Sequence, residues 1–332
     1  MNRKPLESLV HSCLVVPDEV APDRADRLLA DLLSGVVTRS SLSHLLKAGL
    51  ITWEGKQVKP STILKPGQQV VIDFGSRKGP PAISKDTKFQ PVIIFEDDHI
   101  IVVDKPAGLV VHPGAGQRSQ TLMDILVASR DAMIGIGESG RWGIVHRLDK
   151  DTSGVMVVAK TLTAYEDLSA QFRLHSIGRV YLALVRGNPG PDSGIVDKEL
   201  GRSRSDRKKM STVTQKGRRA VTSWKVQKRY GPVSLLEIRP QTGRTHQIRV
   251  HLASIGLPIL GDQVYGSRVR KLAPGDQNLR KLAAILNRQA LHASFIAFKH
   301  PASGCHIEFS SDLPGDMLSA KKICEGMSEK ES

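Results

Sequence analysis

The densest concentration of reactive side chains lies in the segment 143–160, GIVHRLDKDTSGVMVVAK, where a polar loop stands between two apolar, strand-like runs. His146, Asp149 and Asp151 are metal-ligand types, but no second His/Asp cluster of matching close spacing completes a set. His146, Asp149 and Ser153 are the types of a hydrolytic triad, yet no G-x-S-x-G elbow surrounds Ser153. Asp151-Thr152-Ser153-Gly154 echoes one half of an aspartic protease site, which needs a second copy that the chain lacks. A solvated hairpin tip is the plain structural alternative. From the loop alone these readings stay open.

The loop residues His146 to Gly154, HRLDKDTSG, resemble the signature of the RluA-type RNA pseudouridine synthases. Other matching parts follow in order: DDHIIVVDKPAGLVVHPGAG from Asp97 to Gly116, RVYLALVRG around Tyr181, TGRTHQIRVHLASIGLPILGD from Thr242 to Asp262, and Leu291-His292-Ala293. The resemblance covers residues 91–310 and implies an enzyme that breaks the bond between uridine N1 and the ribose, turns the base, and rejoins the ribose to C5. Such an isomerisation needs no redox cofactor and no metal. In this family Asp149 corresponds to the essential aspartate, Tyr181 to a tyrosine against the base, and Arg147 to an arginine that fills the gap left by a flipped uridine. Arg249 matches the arginine of the family's His-Gln-x-Arg segment. A desolvated carboxylate must stay ionised although burial raises its pKa, and an arginine partner opposes that rise. His146 and Lys150 read as loop support and a phosphate contact.

The elements that must position these residues can be read from periodicity. Strands are expected near Val92–Phe95, Ile100–Asp104, Gly143–Leu148, Val155–Ala159, Arg179–Val185 and Ser234–Arg239, with helices over Ala164–His175 and His246–Ile255. Thr245 is the expected N-cap of the latter, Gly256 its stop, and Ile248, Leu252 and Ile255 its apolar stripe. This alternation predicts an α+β domain over 91–312, and the resemblance implies a central, mostly antiparallel mixed sheet flanked by helices. Residues 313–332 read as a short helix and a frayed tail.

Upstream, Leu28, Leu29, Leu32 and Leu33 repeat at helical spacing after Asp23, an expected N-cap. Leu42, Leu45 and Leu46 repeat likewise before Gly49. A hairpin over Leu50–Val58 turns at Glu54-Gly55, and a strand covers Val70–Ile72. Residues 1–74 resemble the S4 RNA-binding domain, which implies phosphate contacts from Arg24, Arg27, Arg39, Lys47 and Lys56. Residues 75–90, with Gly79-Pro80-Pro81 and several lysines, read as a linker. The basic run over 198–229, with Arg207, Lys208 and Lys209, reads as a path for the RNA backbone.

Bulk properties agree with a polyanionic partner. The net charge is +15 and the pI about 9.9, and a cationic surface gains free energy by releasing counterions from phosphates. Aromatic residues are only 4% of the chain, too few for a base-stacking platform, so recognition is expected to lean on charge and shape. Cys13, Cys305 and Cys324 lie far apart, which fits no disulfide framework. No apolar run reaches the roughly 20 residues of a membrane span, and the first residues lack a signal-peptide core, so a cytoplasmic location is expected; a monomer is expected as well. The resemblance points to RNA of the large ribosomal subunit as the substrate. Transfer RNA, or a catalytically silent role in assembly, are the alternatives.

Overall fold

The computed structural model describes residues 11–328 apart from 35–36, 38, 74–88, 113–119, 139–140, 204–205, 207–208, 215 and 267–276. The N-terminal part contains β1 (His11–Val15), β2 (Asp23–Arg24), α1 (Ala25–Leu32), α2 (Arg39–Ala48), β3 (Ile51–Trp53), β4 (Lys56–Gln57), β5 (Ile63–Leu64) and β6 (Gln69–Asp73). Its main sheet is antiparallel, in the order β1-β6-β3-β4, while β2 pairs with β5. The leucine repeats do face the core: Leu28, Leu29, Leu42, Leu45 and Leu46 are all buried. The β3–β4 turn holds both Glu54 and Gly55 at positive φ, 49° and 73°, the handedness that suits a two-residue hairpin loop.

One reading of this part needs correction, and strand β1 is not among the expected elements. Arg24, not Asp23, occupies the cap position of α1, and it makes no side-chain cap bond. Asp23 instead accepts from the Arg24 N–H, one residue too early to cap the helix. Strand β1 carries no clear alternation, so only its pairing with β6 defines it. The expected linker lies outside the described residues except for Phe89 and Gln90.

The larger part comprises β7 (Val92–Glu96), β8 (Ile100–Lys105), α3 (Leu122–Val127), β9 (Ser153–Ala159), α4 (Leu162–Arg173), β10 (Gly178–Arg186), β11 (Ser193–Arg202), β12 (Met210–Ser211), β13 (Arg218–Arg229), β14 (Val233–Pro240), α5 (Gln247–Ser254), α6 (Gln277–Ile285), β15 (Leu291–Lys299), β16 (His306–Ser310) and α7 (Gly315–Ser328). Its sheet runs β12-β11-β13-β14-β10-β15-β9-β8-β7, with β16 also on β15. The β9–β15 pair is parallel and every other pair in it is antiparallel, the mixed α+β arrangement expected. Strands β8 and β9 are buried along almost their whole length, which explains their continuous apolar runs. No helix among the described residues is long and apolar enough to cross a membrane.

The expected strand over Gly143–Leu148 does not form. Those residues run as turns and loop, and the reactive segment enters β9 from irregular backbone rather than from a hairpin. The basic run, read as one surface stretch, is largely the β11 and β13 pair. The C-terminal segment is more than a frayed end: Met317, Ala320 and Cys324 on one face of α7 are all 0% exposed, and α7 packs on α6. Met317→Ala should therefore cost about 2–5 kcal/mol, whereas Leu318→Ala, at a 43% exposed position, should cost under about 1 kcal/mol. Denaturant unfolding of the two variants checks this, and equal losses would show that α7 is not docked by this face.

Candidate active site

The polar loop before β9 has no ladder of its own, so side chains behind it fix its backbone. Lys105, at the end of β8 and fully buried, donates from Nζ to the carbonyls of Pro106 (2.9 Å), Leu109 (2.9 Å) and Lys150 (3.0 Å). Burial pushes its ammonium down to about 7 against the pull of Asp151. Arg288 donates to the Asp151 carbonyl at 3.0 Å and forms a bidentate pair with Asp316 of α7 at 2.7 and 2.8 Å. Gln289 donates to Thr152 Oγ1 at 3.2 Å. His292 Nε2 donates to the Ser311 carbonyl (3.0 Å), leaving Nδ1 to accept from the Ser153 hydroxyl (3.0 Å). The loop leaves through Gly154 at φ 117°, where a Cβ would lie 2.2 Å from the Ala293 carbonyl of β15. Only glycine fits there. The Lys-Pro-x-Gly-Leu, HRLDKDTSG and Leu-His-Ala segments thus meet at one place.

Held in this way, Asp149 presents Oδ2 to Arg249 Nη1 at 2.9 Å. Arg249 lies on the first turn of α5 and is itself gripped by Asp262, which accepts from Nε at 2.7 Å and from Nη2 at 2.9 Å. The side chains of Asp149, Arg249 and Asp262 are 18%, 6% and 1% exposed, so exposure falls steadily inward. Burial opposes the charge on Arg249, but the paired carboxylates outweigh it and raise its pKa. Burial likewise opposes ionisation of Asp262, and the Arg249 bonds with the Val264 and Tyr265 N–H groups reverse the balance and lower its pKa.

Helix α5 departs from its expected form. Thr245 is not the cap: the helix starts at Gln247, and His246 before it takes a left-handed conformation, φ 55°. Gln247 ties down the preceding turn by accepting from Thr242 Oγ1 and the Arg244 N–H and by donating to the Val221 carbonyl and Thr222 Oγ1. The helix is buried nearly all round, with Arg249 and His251 inside beside Ile248 and Leu252, and Ile255 is 37% exposed rather than part of an inner stripe. His246 and Arg249 nevertheless face one carboxylate, with His246 Nε2 4.0 Å from Asp149 Oδ1.

Asp149 and Arg249 share their pocket with Arg147, Arg179, Tyr181, Thr242, Arg244 and His246. Tyr181 on β10 is only 8% exposed, and burial raises its phenol pKa. Arg147 sits exposed, with Nη1 3.4 Å from His112 Nε2. Among the described residues no group of three or more His, Cys, Asp or Glu is placed to hold a metal ion. The remaining expected RNA contacts lie elsewhere. Arg27, Arg39 and Lys47 line a separate cleft between α1 and α2 together with Asp23, Asp26 and Asp31. Arg24 pairs with Asp26 at 2.8 Å, Lys56 is exposed on β4, and Lys209 is exposed beside β12. Arg207 and Lys208 lie outside the described residues. Sequence reasoning missed Asp262, Tyr265 and Arg288 as parts of the site, although Asp262 closes a quoted motif and Arg288 directly precedes Gln289-Ala290-Leu291-His292.

A model of the family described as RNA pseudouridylate synthase matches residues 99–254, which span the Lys-Pro-x-Gly-Leu turn, the Asp149 loop and Arg249. A Pseudomonas aeruginosa protein named ribosomal large subunit pseudouridine synthase D is 39% identical over 313 residues, 94% of this chain and 95% of that protein. The chain belongs to the RNA pseudouridine synthase family. A Zymomonas mobilis synthase of the same name is 42% identical over 308 residues, 92% of this chain and 94% of its own. The solved structure of the human RNA pseudouridylate synthase domain containing 4 superposes with a TM-score of 0.56 at 30% identity, covering 70% of this chain and 93% of that one. The protein is therefore an RNA pseudouridine synthase, an isomerase, and the fold above is that of the family.

His146 supports the synthase loop from outside the pocket. Its Nε2 accepts from the Val157 N–H at 3.1 Å, and its ring stacks on Phe172 of α4 with centroids 4.6 Å apart. Burial, with Arg179 nearby, pushes its pKa from 6.5 down to about 3. The unfolded chain therefore takes up this proton first as pH falls, so stability present above 6.5 is lost progressively towards 3. His146→Gln can still accept the Val157 bond but does not titrate, and it should flatten the decline in denaturant midpoint between about pH 6.5 and 4. An unchanged slope would show that His146 is not buried as a neutral ring.

Proposed function

We propose that this synthase converts uridines of large-subunit ribosomal RNA to pseudouridine, acting as a cytoplasmic monomer with Asp149 as its nucleophile. The observation that carries the reading is the ion-paired Asp149 carboxylate, braced by Arg249 and Asp262, at a pocket that also contains Tyr181 and Arg147. The names of the relatives in Pseudomonas aeruginosa and Zymomonas mobilis support the choice of RNA.

In this reading the target uridine leaves its stack and enters the pocket, and Arg147 at the exposed rim takes its place in the RNA. An oxygen of Asp149 attacks the ribose C1′ or C6 of the base, and the N1–C1′ bond breaks. The base turns against Tyr181 and its C5 bonds to C1′. Asp149 is released, displaced from C1′ as C5 bonds there or expelled from C6 afterwards, C5 loses its proton and N1 gains one, so the sum is an isomerisation. Arg249 aims the carboxylate and gives its charge a partner through the 2.9 Å bond from Nη1 to Oδ2. Residues 1–74 serve as an S4-like RNA-binding domain, with Arg24, Arg27, Arg39, Lys47 and Lys56, and with Arg207, Lys208 and Lys209 of the larger domain, on phosphates. The sixfold set of positive charges among the described members of this group supports that role.

Asp149→Asn should abolish pseudouridine formation while RNA affinity stays within about threefold of wild type, because the amide keeps the shape but not the nucleophile. Single-turnover assays with mapping of pseudouridine on ribosomal RNA test this, and appreciable turnover would remove Asp149 from the chemistry. Deleting residues 1–80 should leave a folded synthase that binds RNA more weakly and with a shallower salt dependence, by about 0.7–0.9 in log–log slope per lost phosphate contact. Unchanged affinity and slope would mean that the N-terminal part does not touch RNA.

A further inference from the structure

Left-handed backbone at a non-glycine residue persists only where the surroundings over-determine it, and His246, at φ 55°, is such a residue next to Asp149. What holds its ring is a hydrogen-bond chain that the steps above do not use. Nδ1 of His246 lies 2.8 Å from the Tyr265 hydroxyl, and that oxygen accepts the Met210 N–H at 2.8 Å. Tyr265 is anchored in turn: its N–H donates to Asp262 Oδ1 at 3.0 Å, and its ring lies 5.0 Å from the Arg249 guanidinium. On the opposite side of the imidazole, Nε2 faces Oδ1 of Asp149, the carboxylate oxygen that Arg249 leaves free.

The two neutral tautomers are not equivalent here. With the proton on Nδ1, the Nε2 lone pair would face a carboxylate oxygen at 4.0 Å, two negative poles in a half-buried site. With the proton on Nε2, the phenol donates to Nδ1 while accepting from Met210, and the imidazole N–H faces Asp149. Burial pushes the His246 pKa down and Arg249 and Arg147 add to this, while Asp149 and Asp262 oppose it.

We propose that Tyr265 is a positioning residue that fixes His246 as the Nε2–H tautomer, so that an N–H donor is held in front of Oδ1 of Asp149. The kinetic consequence rests on Asp149 being the nucleophile; the tautomer itself does not. At 4.0 Å the donor is beyond hydrogen-bond length, so it leaves the Oδ1 lone pairs free and can donate to a substrate oxygen seated beside Oδ1. The chain also reaches the basic segment, because Met210 opens β12, which pairs with β11 and closes the hairpin bearing Lys209. The basic segment and the reactive carboxylate are thereby linked through Met210 N–H, Tyr265 O–H and His246.

The test is nitrogen NMR on the full chain with labelled histidine, together with single-turnover rates. Comparison with His246→Asn assigns the resonances, since asparagine tolerates the left-handed conformation. In the wild type neutral His246 should carry its proton on Nε2 and should take up its second proton at a lower pH than an ordinary histidine. Tyr265→Phe keeps the ring over Arg249 but frees Nδ1, so His246 should titrate at higher pH, drawn up by Asp149 and Asp262 against Arg147 and Arg249. Its rate should fall about tenfold, the scale of one hydrogen bond, and fall further at about pH 6 than at pH 8, with RNA affinity within about threefold. In the Tyr265→Phe/His246→Asn double variant the losses should not add. An Nδ1–H tautomer in the wild type, a Tyr265→Phe rate and pH profile like wild type, or fully additive losses would overturn the proposal. Turnover by Asp149→Asn would instead overturn the functional reading and leave the tautomer to the spectra.

Discussion

A single buried guanidinium between two carboxylates organises this protein. Arg249 spends Nε and Nη2 on Asp262 and Nη1 on Asp149, so the most buried acid is its structural partner and the most exposed one faces the pocket. Asp262 could not lie at its depth alone, because the desolvation of an unpaired charge exceeds what packing returns. The same requirement explains the form of α5. A helix that must bring a cation inward, and keep Gln247 and His251 inside as well, cannot present a clean apolar stripe, and it begins from a distorted His246 instead of a regular cap.

The reactive loop poses the opposite problem, since it has no regular structure to fix it. Its carbonyls are instead claimed from behind: Lys150 by Lys105 and by the Gly108 N–H, Asp151 by Arg288. Both side chains are buried, and the Arg288 charge is balanced by Asp316 at the start of α7, so even the C-terminal helix bears on the placement of Asp149. Charge-assisted bonds to backbone oxygens are shorter and stronger than neutral ones, which suits a loop that must hold its geometry while a nucleotide enters and leaves.

The positive charge of the chain is less uniform than its total suggests. Arg24 is paired with Asp26, Arg219 with Asp197, Arg130 and Lys160 with Glu96. Such exposed or half-buried pairs contribute little to stability, but they decide where uncompensated charge is offered to an RNA. The cleft between α1 and α2 mixes Arg27, Arg39 and Lys47 with three aspartates, so phosphates meet a patterned surface there rather than a uniformly cationic one.

Local sequence determined the strands β7 to β10 and β14 and the leucine faces of α1 and α2, because burial of alternating or helical apolar sets leaves a mark within a few residues. The resemblance of its ordered motifs to a known family singled out Asp149, Tyr181, Arg249 and Arg147, which fold into one pocket. What local sequence could not determine was whatever depends on partners distant in the chain. The apolar run Gly143–Leu148 looks like a strand but finds no neighbouring edge to pair with along its length, and so runs as loop. Asp262, Tyr265, Arg288 and Asp316 look like ordinary surface residues until folding sets them against Arg249, His246 and the loop carbonyls. A charged side chain carries no periodic signal of its burial; only the tertiary structure supplies the opposite charge that makes it tolerable.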